Sequence, residues 1–128
     1  MTAPRQRHST AAPWEPLVGY SRAVRVGRRI LVSGTTAVGA SGEIEGDAFE
    51  QARVAFERAL EAVRALGGTP EAVVRTRMFV VDIAANHEAV GRAHKRSVGA
   101  AMPAATMVGV AALIDPRLLV EVELEAVV

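Results

Sequence analysis

From Leu118 to Val127 the chain alternates without a break: Leu118, Val120, Val122, Leu124 and Ala126 share one parity, and Glu121, Glu123 and Glu125 share the other. Successive side chains of a β-strand point to opposite faces, so this stretch is a strand with one apolar face to cover and one face of carboxylates. That excludes an all-helical fold. Helical spacing elsewhere supplies a cover. Asp47 with Glu50 three positions on makes a capping-box-like start, and Phe49, Ala52, Phe56, Ala59, Leu60, Val63 and Leu66 follow with the period of a helix. Gly67 and Gly68 close it and Pro70 prevents its continuation. A second apolar series, Val90, Ala93, His94 and Val98, predicts a helix within Asn86 to Gly99, ended by Pro103.

The remaining elements read as strands. Leu17 to Val26 and Ile30 to Ser33 form a hairpin around Gly27, Arg28 and Arg29, and Gly34 ends the second run. Residues 35 to 46, with Gly39, Gly42 and Gly46 and no apolar period, form a loop. Val73 to Val81 is rich in β-branched residues, with Val74, Thr76, Met78 and Val80 on one face and Arg75, Arg77 and Phe79 on the other. Ala105 to Leu113 is a further strand, turning at Asp115 and Pro116 into the last one. The order β-β-α-β-α-β-β predicts an α+β layer with both helices on one face of a mixed sheet.

A chain of 128 residues, half of them apolar, suits a single domain, placed at residues 14–128 behind a flexible tail at residues 1–13. The 15 basic and 14 acidic residues nearly cancel, so no global field favours nucleic acid or an anionic membrane as partner. The leader has Arg5, Arg7 and His8 but no signal-peptide apolar run, and no stretch is long and apolar enough to span a bilayer. With no cysteine, a reducing compartment costs the chain nothing, and the cytoplasm is the expected location.

The sheet face opposite the helices carries Arg75 and Arg77 on one strand and three glutamates on another. It is either solvated or, if another subunit covers it, paired, since an isolated buried charge is very costly. No metal or cofactor is expected. His87 and His94 stand seven apart, not the three or four of a helical ligand pair, and the glycine-rich loop lacks a phosphate-loop lysine and a dinucleotide fingerprint.

Two segments resemble the Rid (YjgF-type) family of reactive intermediate deaminases. The first is Gly19-Tyr20-Ser21-Arg22-Ala23-Val24-Arg25-Val26-Gly27 with Ile30-Leu31-Val32-Ser33-Gly34. The second is Pro103-Ala104-Ala105-Thr106-Met107-Val108 with Val120-Glu121-Val122-Glu123. The resemblance, which also takes in Arg75 to Asp82, implies a chorismate-mutase-like fold, a homotrimer and small-molecule clefts between subunits. In the family's deaminases an arginine after Pro-Ala grips the carboxylate of a 2-imino acid, and water held near a glutamate attacks the imine carbon. Here that position is Ala105, and a methyl group cannot replace a planar two-point grip. The resemblance assigns Tyr20 to the cleft tyrosine, Glu121 to the glutamate and Thr106 to the hydroxyl after the arginine. Met107 stands where a smaller residue is usual.

Each assignment has a plainer alternative. Glu121 activates water or pairs with Arg75 or Arg77. Tyr20 orients a ligand or packs its ring. Arg77 supplies a relocated anion contact or pairs with Glu121 or Glu123. Ser33, with Gly34 beside it, lines the cleft or satisfies a local backbone group. The expected function is hydrolysis of an imine, enamine or related reactive metabolite without the carboxylate grip. The alternatives are a ligand-binding or regulatory trimer and, with least support, RNA cleavage, which the +1 net charge and few aromatic residues disfavour.

Overall fold

In the computed structural model, which describes residues 4–128, β6 (Val120–Val127) lies inside a six-stranded sheet. Around it run β1 (Arg5–His8), β2 (Ala23–Val26), β3 (Arg29–Thr35), β4 (Val73–Val81) and β5 (Ala104–Val110), in the spatial order β1-β2-β3-β6-β4-β5. Neighbours pair antiparallel except β4 and β5, whose connection runs through α3 (Ile83–Val98), the kind of crossover a parallel pair requires. The expected α+β layer is present. The apolar parity of β6 is buried, together with Ile30, Val32, Met78 and Val80, against Phe56, Leu60 and Val63 of α2 (Ala48–Ala65) and Val90, Ala93 and Val98 of α3.

Local chemistry sets the bounds of α2. The Asp47 carboxylate accepts from the Glu50 N–H at 3.0 Å, while the Glu50 side chain turns to Arg53 at 2.6 Å instead of completing the capping box. Gly67, at φ +91°, lets the chain turn back, and the Gly68 N–H reaches the Val63 carbonyl. The buried Gln51 amide donates to the carbonyls of Gly46 and Arg117 and accepts from the Leu119 N–H, tying the start of α2 to the entry of β6.

Several sequence expectations change. Arg5–His8, within the stretch expected to be a tail, pairs with β2 as an edge strand; its order comes from main-chain hydrogen bonds, which leave no hydropathy pattern. Residues 1–3 of that stretch lie outside the described residues. Leu17 and Val18 belong to a short helix, α1 (Trp14–Val18), closed by Gly19 at φ +91°, and the strand begins only at Ala23. Gly34 continues β3 instead of ending it, with a register shift between Val32 and Thr35. A second shift, between Val73 and Arg75, buries Val73 and leaves Val74 exposed, opposite to the expected parity. The second helix starts at Ile83, three residues early. Asp82 enters the left-handed region at φ 50°, and the Asn86 side chain donates to the Val81 carbonyl across the bend.

His94 is a core-facing residue of α3. Its Nε2 lies 2.8 Å from the Thr76 hydroxyl, and its ring meets Phe56 edge-on at 5.5 Å. Burial holds its pKa below the ordinary 6.5. The unfolded chain therefore takes up a proton before the folded one does. Stability contributed by neutral His94 is complete above about pH 6.5 and is lost as pH falls through the lower folded value. Urea unfolding followed from pH 7 to 5 is expected to show a falling midpoint, and His94→Gln should flatten that dependence.

Candidate functional site

The face of the sheet away from the helices is arranged in rows. Glu121 of β6 pairs with Phe79 of β4, which pairs with Val108 of β5; the next row is Glu123, Arg77 and Thr106, and the next Glu125, Arg75 and Ala104. Arg77 bridges two of the glutamates, reaching Glu123 at 3.0 Å and Glu125 at 3.4 Å, and Arg29 reaches Glu125 at 2.9 Å. The structural alternative for Arg77 is thus the one observed, with Glu125 in the place of Glu121.

Glu121 is left without an ion pair among the described residues. Burial pushes its pKa up, Glu123 in the adjoining row adds to this, and Arg22 draws it partly back. The carboxylate lies against Gly34, where a Cβ would collide with it. Glycine leaves room here for the Glu121 carboxylate, which would have to move aside for a Cβ, and is not set by an unusual φ.

Arg22, which the sequence reading quoted but did not single out, organises the other side of Gly34. It is buried, and its guanidinium donates to the Gly34 carbonyl at 2.6 Å, to the Thr35 hydroxyl at 3.0 Å and to the Tyr20 hydroxyl at 3.4 Å. It also lies over the Tyr20 ring, 5.6 Å from its centroid. Its Nε has no hydrogen-bond partner and sits 4.0 Å from the Glu15 carboxylate. Glu15 is itself buried; desolvation works against its charge, but hydrogen bonds from Thr10 and Ser9 outweigh it and hold the carboxyl below its ordinary value. Arg22 and Ala23 are consecutive buried residues at the entry of β2, and this burial of an arginine is invisible to periodicity.

The chain thus brings Tyr20 to Gly34 through Arg22, with Glu121 against the other side of Gly34. Ser33 is adjacent, its hydroxyl donating to the Ser21 carbonyl at 2.7 Å, so it does satisfy a local backbone group. Thr106 shares the open face with Glu121 but stands at the sheet edge on β5. Ala105 and Met107 pair with Thr76 and Met78 and so take the other face of β5; Ala105 is exposed, and Met107 packs partly against the core. The structure does not gather the residues of Pro103 to Val108 beside Glu121 within one chain. Among the described residues no group of three or more His, Cys, Asp or Glu could hold a metal ion, and no helix is long and apolar enough to cross a membrane.

Comparison with known proteins agrees with this framework. Residues 10–128 match the family described as endoribonuclease L-PSP. An uncharacterized protein of Streptomyces coelicolor is 42% identical over 124 residues, covering 94% of this chain and 90% of that one. A crystal structure from Mycobacterium tuberculosis, of Rv2704, a member of the YjgF/YER057c/UK114 family, superposes with a TM-score of 0.88 at 42% identity, covering 98% of this chain and 100% of that one. This chain belongs to the YjgF/Rid family. A Pseudomonas aeruginosa protein of unknown function, PA3499, has the same fold at 31% identity and a TM-score of 0.85, covering 99% of this chain and 94% of that one. Family membership and the chorismate-mutase-like α+β fold implied by the two sequence segments therefore hold.

In this Rid-family chain, Glu121 carries an energetic signature of its environment. A carboxyl whose folded pKa is raised above 4.5 contributes stability that is fully present below that value and is lost as pH rises through the folded pKa. Glu121→Gln, neutral at every pH, is therefore expected to raise the melting temperature at pH 7 and to leave it unchanged near pH 4. Arg22→Gln should raise the Glu121 pKa further, read from the carboxyl carbon resonance in an NMR titration.

Proposed function

We propose that this Rid-family protein hydrolyses an imine, enamine or related reactive small molecule in a cleft between subunits of a homotrimer, without a carboxylate grip at position 105. The observation that carries the reading is Glu121: a half-buried carboxylate with no ion pair among the described residues, a raised pKa and a glycine beside it. A carboxylate of raised pKa is a stronger base toward water. For an imine, water adds to the carbon as Glu121 takes one of its protons and passes it to nitrogen, giving a carbinolamine; transfer of the hydroxyl proton to nitrogen then breaks the C–N bond, releasing ammonia and leaving a carbonyl. Tyr20 would orient the substrate, with Thr106 supplying a hydroxyl from the β5 edge. The open face suits a second copy because Arg77, Glu123, Glu125 and Arg29 are already paired and Leu31, Val108 and Val127 are partly exposed among them. Ala105 argues against standard 2-imino acid deamination, and a cytoplasmic setting is compatible with a chain that has no cysteine.

A second reading, a ligand-binding or regulatory trimer without turnover, is favoured by Met107 packing on the core and by the methyl group at Ala105, which leave β5 with Thr106 as its polar contribution. RNA cleavage, which the family's description suggests, has least support, since the net charge is +1 and aromatic residues are few.

Ammonia release from a panel of imines and enamines, with and without carboxylates, separates the readings. Turnover that drops by about 100-fold or more in Glu121→Gln supports hydrolysis; ligand binding with no turnover in the wild type supports the second reading. Ala105→Arg is expected to raise activity on 2-imino acids selectively. Sedimentation should give three times the chain mass.

A further inference from the structure

An open hollow of about 860 Å³ lies under β1 and α1, walled by Arg5 and Arg7, by the Ser9–Pro13 segment, and by Tyr20, Ser21 and Ser33. Its volume falls within the range of small-molecule sites. Arg5 pairs with Val26 and Arg7 with Val24, the parity of β2 opposite to the buried Ala23, so both guanidinium groups stand on the face away from the helices.

The hydrogen-bond inventory of this hollow is one-sided. Arg5 and Arg7 form no ion pair and no side-chain hydrogen bond among the described residues, as is also true of Arg75 and Arg96, whereas Arg25, Arg28 and Arg58, likewise without an ion pair, donate to main-chain carbonyls. The hydroxyl protons of Tyr20 and Ser21 meet no acceptor among the described residues, although Tyr20 itself accepts from Arg22. The one carboxylate in the wall, Glu15, is engaged by Ser9 and Thr10. The side chains therefore offer two cations and two hydroxyl donors with no free acid between them. A ligand that satisfies them must bring acceptors and negative charge.

We propose that this hollow binds the anionic end, a carboxylate or phosphate, of an elongated small molecule, with Arg5 and Arg7 as its charge contacts and Tyr20 and Ser21 as its hydroxyl donors. The proposal rests on the reading of Glu121 as the reacting end and sharpens its substrate class. β1 and β6 are three strand spacings apart, about 14 Å before any offset along the strands. An anion held at Arg5 and Arg7 is thus not the carboxylate bonded directly to a carbon that reacts at Glu121. The substrate carries its charge at a distance from the reacting carbon, and Tyr20, in the wall of the hollow and bonded through Arg22 to Gly34, stands between the two ends.

The test uses the full chain and an unreactive matched pair, 5-phenylvalerate and 5-phenylvaleramide, titrated by NMR. Valerate should shift the Arg5, Arg7 and Tyr20 resonances and the amide should not. Arg5→Gln/Arg7→Gln should weaken valerate binding about tenfold or more, since each charged hydrogen bond contributes about 1.5–3 kcal/mol and 1.4 kcal/mol is tenfold. Arg5→Lys/Arg7→Lys should restore part of it. If the glutamine variant fails to fold, wild-type binding that weakens strongly between 0.05 and 0.5 M salt sustains the proposal. Equal binding of valerate and amide, valerate shifts mapping elsewhere, or affinity unchanged in the glutamine variant overturns it. The outcome is separable from catalysis. Valerate binding without imine turnover keeps the site and discards hydrolysis; imine turnover with no valerate binding does the reverse.

Discussion

The strand β6 has two faces that cannot exchange environments, and the fold is arranged around that constraint. Its apolar parity is buried under α2 and α3, so a slip of one residue against β3 or β4 would drive three carboxylates into the core. The register is therefore fixed by desolvation before any specific polar contact is considered. The charged parity then needs opposite charges nearby, and the neighbouring strands supply them at matching rows: Arg77 on β4 between Glu123 and Glu125, and Arg29 on β3 toward Glu125. These partly exposed pairs are worth little each in stability. Their consequence is that the face is close to neutral and can be covered without stranding charge.

Glu121 is the exception, and its neighbours explain why. Its row offers Phe79 and Val108 in place of cations, and β3 shifts register as it passes, presenting Gly34. The carboxylate is consequently desolvated without compensation from an adjacent arginine. Arg22 moderates this from behind the Gly34 peptide and does not neutralise it. A charge left in such a position costs stability, and costs of that kind recur where proteins place chemistry.

Much of the framework was legible from periodicity. The last strand, the helix begun by Asp47 and the shared face of Thr76, Met78 and Val80 follow from period alone, whereas the pairing of Arg77, which the sequence left open, is decided by the strand register. Features that depend on main-chain hydrogen bonding were not legible. Arg5–His8 is ordered by the edge of β2, Leu17 and Val18 are helical because Gly19 closes a turn, and the irregularities near Val74 and Gly34 insert residues that no parity rule anticipates. At the site, Tyr20, Gly34 and Glu121 do converge, but the residue joining the first two, Arg22, was hidden because an arginine reads as solvent-exposed unless its acceptors are known.

The faces of β5 alter what Ala105 means. Positions 105 and 107 point with the core side of the sheet, and Thr106 with Glu121's side, so a guanidinium at 105 would have to act from the sheet's edge and not from its open face. β5 and β6 are separated by β4, about two strand spacings, which places an edge contribution some 10 Å from Glu121 within the same chain. Within one chain, a side chain on β5 is therefore held away from the Glu121 carboxylate by the intervening strand β4. Substitution at 105 thus removes a contact made at the edge while leaving the arrangement of Arg22, Gly34 and Glu121 untouched, because none of its hydrogen bonds involves β5. The β5 edge and the Arg22–Gly34–Glu121 arrangement are consequently separate parts of the fold, and a side chain at 105 can change without disturbing the contacts around Gly34.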